Sequence, residues 1–388
     1  MPPDRPLHGR MLAVLGFVCA LAGTATAGTA ASSGNIVAEA TARLATLATP
    51  SDGKGLPNST PRWKRGEKVW VIACNLTTGC LLPGQSLQQA GKLLGWHVTI
   101  FDGKGNPSEY ANGVEQAIAA KANAIVLDSV DCDFVKAPLE QAKKAGIVVY
   151  GYDAMDCSDP RAGGGPSLID GNGAARGYAP GTDSLKRFML DWGKDKVDYV
   201  IAKTNGHANV ITFTESDIVS MTYQHDAIVK ELARCPGCKV VANVDLTLQD
   251  YTDNGLLKKF QTALAQHPEA NAVITLYDLN ILAAVAPALQ QAGRSNMIVV
   301  GGEGWPDSLA RIREGKGQSC AFAFDVADVG YPMTDNLIRL FDHQPAIDEG
   351  VGILLIDRQH NLNRIGTAYH GFFPYATYYA KLWRAAER

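Results

Sequence analysis

The chain has 388 residues, 46% of them hydrophobic and 19% charged, with a formal net charge of −3. That is enough apolar material for two lobes of roughly 120–160 residues, each with its own core. No run of five like charges occurs, so the chain lacks the concentrated basic face that nucleic-acid phosphates require.

Residues 1–27 read as a targeting segment. Arg5 and Arg10 make a positive start, Met11 to Leu21 is apolar, and Ala25-Thr26-Ala27 offers the small residues of a cleavage site. The apolar run is too short for a stable membrane span. Cys19 follows Gly16-Phe17-Val18, which does not resemble a lipid-attachment motif. The expected product is cleaved after Ala27, soluble and periplasmic; the competing reading is a short buried N-terminal helix. In the Ala-, Thr-, Ser-, Gly- and Pro-rich stretch 28–66, Ile36 to Leu47 suits a helix and Pro50 to Pro61 a linker. The globular part is expected to start near Lys68.

Strand and helix then alternate. Lys68–Cys74, His97–Phe101, Ala124–Leu127 and Ile147–Tyr150 are predicted strands, with Ser167–Ile169 a fifth. Gln85–Leu94, Ser108–Lys121 (capped by Ser108) and Phe134–Ala145 are the helices between them. The rhythm restarts with helix Gly181–Trp192 and strand Asn209–Phe213, then helix Ser220–Leu232 and strand Lys239–Ala242. Helix Asp253–His267, strand Ala272–Leu276, helix Ile281–Gln291, strand Met297–Val300 and helix Ser308–Glu314 follow. Short apolar strands between amphipathic helices mean parallel sheets covered on both faces. The fold class is therefore α/β, with two doubly wound lobes joined by a hinge. The expected division is 67–172 plus 326–358 for one lobe and 173–325 plus 359–388 for the other. Crossings fall near Gly171–Gly173, Asp325 and Gln359. Ligands of such sheets sit beyond the carboxyl ends of the strands, so a cleft between the lobes is built from the loops after the strands.

Seven of the eight cysteines lie beyond the targeting segment. An oxidising compartment permits the local pairings Cys74 with Cys80, Cys132 with Cys157, and Cys235 with Cys238, although spacing does not prove connectivity. Cys320, inside an apolar run, suits a buried free thiol.

Over residues 68–360 the chain resembles a type I periplasmic binding protein of the ribose-binding and LacI-like superfamily. The stretch Asn271-Ala-Val-Ile-Thr-Leu-Tyr-Asp278 resembles that family's strand ending in Asn-Asp. Ile298-Val-Val-Gly-Gly-Glu-Gly304 resembles its Val-Val-Gly-x-Asp-Gly, and Gly315, Ala321 and Gly330 fit the segment that follows. Cys235-Pro-Gly-Cys238 with Lys-Val-Val resembles a disulfide-bearing branch. The resemblance implies a non-catalytic receptor that closes on one small molecule and docks on an inner-membrane transporter, such as an ABC importer. It makes Asp153 an acceptor of ligand hydroxyls and puts Glu303 in the place of a second ligand-binding Asp. Tyr277 stands where Asn is usual and Phe324 where Gln is usual. Tyr223, Gln224 and His225 occupy the region where an Arg is common. Aromatics in place of polar groups make a sterol, lipid-like or aromatic solute a rival to a sugar.

The other candidates carry two readings each. Asn75, Thr77 and Thr78 either face the ligand or form a strand-to-helix turn. Asp128, Ser129 and Asp131 form a polar cleft wall or cap a helix. Asp153 binds the ligand or makes an Asx turn, and Glu303 binds the ligand or is a surface carboxylate between glycines. Tyr152 and Trp305 stack on a ligand or pack the lobe. Glu215 and Asp217 face the cleft or the solvent.

Cys235-x-x-Cys238 also matches a thiol–disulfide oxidoreductase motif, but it follows a helix end, where no N-terminal dipole activates a thiol. A structural clip is the preferred reading. No zinc partner set, His-x-x-x-His pair, phosphate loop or Gly-x-Ser-x-Gly elbow is present, so no cofactor is expected. A transcription regulator of the same fold would need a helix-turn-helix before the first lobe; a targeting segment and linker stand there instead. An exported hydrolase using cleft carboxylates is the remaining enzymatic reading. A monomer is expected.

Overall fold

The structure, a computed structural model, describes residues 33–50, 53, 55–173, 184–251, 253–362, 369, 371 and 373–387. The targeting segment expected at 1–27 lies outside the described residues, as do the first residues of the helix expected from Gly181.

Two sheets organise the chain. The first has five parallel strands: β1 (Lys68–Ala73), β2 (His97–Asp102), β3 (Ala124–Asp128), β4 (Val148–Tyr152) and β5 (Gly171–Gly173), in the order β2-β1-β3-β4-β5. Every residue of the central strand β3 is buried, whereas β2 at the edge is half-exposed. That is the pattern of a sheet covered on both faces. Helices α2 (Thr78–Leu93) and α11 (Gly330–Phe341) pack on one side, α3 (Pro107–Ala119) and α4 (Cys132–Lys144) on the other. The cap of α3 is Asn106 rather than Ser108: its side chain accepts the Ser108 N–H at 2.8 Å, and Pro107 opens the helix.

The second sheet has six strands in the order β11-β10-β9-β8-β6-β7. They are β6 (Ala208–Glu215), β7 (Cys238–Leu246), β8 (Ala272–Ile274), β9 (Ile298–Gly301), β10 (Cys320–Ala323) and β11 (Leu354–Asp357). Helices α5 (Ser184–Lys203) and α6 (Val219–Leu232) pack together beside it. Helices α7 (Gly255–Gln266), α8 (Asp278–Asn280), α9 (Ala286–Gln291) and α10 (Pro306–Glu314) complete this lobe, with α8 and α9 joined by a π-helical turn at Ile281–Val285. Helix α1 (Ser33–Leu47) and helix α12 (Tyr375–Ala386) stand at the ends.

Five details depart from the sequence reading. The fifth strand is Gly171–Gly173. The N–H groups of Leu168 and Ile169 instead donate to Asp156, at 3.0 and 2.8 Å, so Ser167–Ile169 is a loop. Leu354–Asp357 joins the second sheet, antiparallel to β10, not the first lobe. The C-terminal helix packs on the first lobe: the Trp383 ring stacks on Tyr331 and its Nε1 donates to Asp335 at 2.9 Å. The compact part starts before Lys68, because Ile36, Ala40 and Leu44 of α1 enter the core of the second lobe, and Arg43 Nε meets Asp195 at 2.6 Å. The stretch expected as a linker is likewise held down, since Pro57, Ser59 and Lys64 carbonyls accept from Tyr378, Arg339 and Trp96.

Candidate functional site

The carboxyl ends of both sheets face a common cavity of about 520 Å³. Its first-lobe wall is polar. The loop after β1 brings Asn75 and Thr77, the loop after β2 Lys104 and Asn106, and the ends of β3 and β4 bring Ser129 and Asp153. Asn75 Oδ1 accepts from the Thr77 N–H at 2.8 Å and its hydroxyl at 2.6 Å, an Asx turn beside the Cys74–Cys80 disulfide. The turn and a position on the cavity wall thus occur together. Asp153 sits at φ +50°, a left-handed backbone uncommon outside glycine. Burial and the negative charge of Asp131 push its carboxyl up to about 8.

The second-lobe wall is aromatic: Trp192 from α5, Tyr251, Tyr277, Trp305 and Phe324 all line it, with Glu303 among them. Hydrogen bonds fix these rings. The Tyr277 hydroxyl donates to Glu215 and lies 2.6 Å from the Tyr251 hydroxyl, which accepts from Asn280 at 2.7 Å. Trp192 Nε1 donates to the Phe322 carbonyl at 3.1 Å, and its ring meets Phe324 edge-on at 5.4 Å. The loop bearing Glu303 and Trp305 hangs from one carboxylate. Asp278 accepts the N–H groups of Gly302, Gly304 and Trp305 at 2.9, 2.7 and 3.0 Å.

Three polar atoms at this wall and floor have no hydrogen-bond partner among the described residues: Asp153 Oδ1, Glu303 Oε2 and Trp305 Nε1. Buried polar groups are ordinarily paired. Burial, then Asp278 and Asp153, hold the Glu303 carboxyl well above the usual range. The cleft is narrow across its mouth, since a Cβ on Gly79 of α2 would stand 2.8 Å from the Trp305 ring and 3.5 Å from Glu303 Oε1.

Of the residues singled out from sequence, Asn75, Thr77, Asp153, Tyr277, Glu303, Trp305 and Phe324 line the cavity. Four others do not. Asp128 is fully buried behind the wall, where its carboxylate accepts from Ser129 Oγ at 3.4 Å. Asp131 binds the backbone N–H groups of Met155 and Val219, both at 2.8 Å. Tyr152 lines an adjoining cavity of about 50 Å³ with Val329, Met333 and Asn336, which shares Asp153 and Phe324 with the main one. Glu215 is the anchor of Tyr277 rather than a lining residue. Trp192, Tyr251 and Asp278 were not singled out. Trp192 lies mid-helix, where an aromatic reads as core; Asp278 stood in a motif, but nothing marked it as a loop anchor.

The three expected cysteine pairs are bonded, and Cys320 is a buried free thiol. Cys235–Cys238 begins β7, at the opposite end of the sheet from the cavity, and Cys235 is buried. Among the described residues no cluster of three or more His, Cys, Asp or Glu is placed to hold a metal, and no helix is long and apolar enough to cross a membrane.

Residues 80–345 match the model of the periplasmic binding protein domain. The ribose import binding protein of Escherichia coli (strain K12) is 24% identical over 229 residues, 59% of this chain and 69% of that protein. The D-apiose import binding protein of Actinobacillus succinogenes is 25% identical over 255 residues, 65% of this chain and 75% of that protein. A solute-binding protein from Burkholderia graminis, solved with D-arabinose, shares 18% identity and a TM-score of 0.64 over 78% of this chain and 99% of its own. The 5-methylthioribose-binding protein of Thermotoga lettingae shares 17% identity and a TM-score of 0.65, over 81% and 98%. At these identities the solved structures speak for the fold, and the family match speaks for descent. With its paired parallel sheets and the cavity at their carboxyl ends, the chain belongs to the periplasmic binding protein family, in its type I form.

Proposed function

We propose that this chain is the non-catalytic receptor of a solute importer. It is exported to the periplasm, closes its two lobes on one small polyhydroxylated molecule and presents the closed form to a membrane transporter. One observation carries this reading. Buried hydrogen-bonding atoms of Asp153, Glu303 and Trp305, drawn from both lobes, converge without partners on a cavity walled by five aromatic rings. A ring or chain of hydroxyls pairs such atoms while its C–H faces stack on the aromatics. Ligand contacts made with both lobes exist only in the closed form, so the solute shifts the equilibrium toward closure. The sugars named for the relatives, ribose and D-apiose, fit the same chemistry.

The test is native mass spectrometry of the purified chain for a co-purified solute, followed by calorimetric titration. One solute per chain is expected, and Asp153→Ala and Glu303→Ala should each weaken binding by about 1–3 kcal/mol. Unchanged affinity in both variants would remove the cleft as the binding site.

A further inference from the structure

The charge lining the cleft is one-sided. Asp102, Asp153 and Glu303 face it against one ammonium, Lys104. Lys104 is largely exposed and turned to Glu109 at 3.4 Å, and Asp102 is engaged by the Lys104 backbone N–H at 2.9 Å. No arginine lines the cavity among the described residues. Behind the wall Asp128 adds a third buried carboxyl, raised by burial and then by Asp153, with Glu303 adding to it. Lys196 lies beneath Glu303, but its ammonium is committed to Gln224 Oε1 at 2.9 Å, the Thr275 carbonyl at 3.1 Å and the Leu276 carbonyl. All three of its protons are therefore in use.

On a neutral guest Asp153 and Glu303 find hydroxyl donors but no countercharge in the closed cleft, so they stay ionised at a cost or take up protons, the direction in which burial pushes both. A guest with one positive charge removes that cost. The aromatic lining adds to this, since Tyr277 and Phe324 border the cavity and aromatic rings attract cations, whereas Trp192 already has the Lys196 ammonium 3.9 Å from its ring centroid. Trp305 Nε1, a donor only, calls for an oxygen on the same guest. A phosphate or carboxylate on the guest meets one cation, Lys104, which is exposed and already turned to Glu109.

We infer that the solute carries an amine: its ammonium sits between Asp153 and Glu303, and a hydroxyl oxygen accepts from Trp305 Nε1. Amino sugars and amino polyols are the matching class. The inference rests on the receptor reading above and narrows it.

The purified chain is titrated in parallel with D-glucosamine and D-galactosamine, with D-glucose and D-ribose, and with D-glucuronate and D-glucose 6-phosphate. Thermal shift and calorimetry read each arm, and native mass spectrometry reads the co-purified solute. The amine arm is expected to bind at least about tenfold tighter than its neutral match. Asp153→Asn combined with Glu303→Gln should erase that preference, leaving each amine no tighter than its neutral match. A co-purified solute bearing an amine also supports the inference. A neutral or acidic solute that binds best, or co-purifies, overturns it and leaves the receptor reading standing. Absence of binding in every arm, with no co-purified solute, overturns both.

Discussion

Asp131 follows the third strand of the first lobe and Val219 opens helix α6 of the second, and the Asp131 carboxylate accepts the Val219 N–H at 2.8 Å. Its other oxygen holds Met155 N–H at 2.8 Å. A carboxylate at a helix N-terminus is favourably placed. Around it Tyr223 donates to Asp159 at 2.8 Å, Arg161 pairs with Asp226 at 2.6 Å, and the Arg161 guanidinium lies 4.2 Å from the centre of the Tyr223 ring. The lobes are thus joined by protein contacts beside the cavity as well as across it.

Replacing Asp131 by Ala leaves the buried Met155 N–H and the half-buried Val219 N–H unpaired, at about 1–3 kcal/mol for a buried group. The closed form should lose stability relative to the open one. Solution scattering should show a larger radius of gyration, and solute affinity should fall. A radius and an affinity equal to those of the parent protein would show that Asp131 is not an interlobe tie.

Gly79 gauges closure in a different way. Its Cβ position lies 2.8 Å from the Trp305 ring of the opposite lobe, so Gly79→Val overpacks that contact by about 1–3 kcal/mol. Affinity should fall by roughly tenfold or more, while the unfolding midpoint of the solute-free protein stays close to the parent value. Parental affinity in the valine variant would contradict the closed geometry.

The buried carboxyls set the pH response of stability. Burial raises Asp131 to about 7, and Asp153 and Glu215 to about 8, against roughly 4 in an unfolded chain. Between pH ~4 and ~8 the folded state therefore holds more protons, and its stability falls as pH rises. Burial lowers Lys196 to about 7, which acts in the opposite sense between about pH 7 and 10. Calorimetry of the solute-free protein should show the midpoint dropping from about pH 5 to about pH 8, then recovering. Lys196→Met should replace that recovery by a plateau. A midpoint that climbs steadily from pH 5 to 7 would contradict this account.

The disulfides should differ in worth. Cys132–Cys157 closes a separation of 25 residues and Cys235–Cys238 one of 3. Removing the first pair as Cys132→Ala with Cys157→Ala should cost about 3 kcal/mol on loop entropy, and removing the second less. The longer loop also adjoins Asp159 and Arg161, which touch α6, so its loss should weaken solute binding too. Denaturant titration of both double variants decides this, and equal costs would count against the loop-length argument.

Much of the architecture was legible because it is local. Period-two and period-3.6 patterning marks strands and helices within a few residues, and it placed Asp153 and Glu303 at strand ends without any tertiary knowledge. Close cysteine spacing marked the three disulfides for the same reason. The sequence left open which residues share a face and which loops meet. Trp192 and Tyr251 become a wall only when α5 and the loop after β7 converge on the cavity, and Asp131 meets Val219 only when the lobes close. Leu354–Asp357 goes to the second sheet because the edge of β10 offers it backbone partners. Such pairings join positions far apart in the chain, and the free energy that selects them belongs to packing and hydrogen bonding in the folded whole rather than to any single segment.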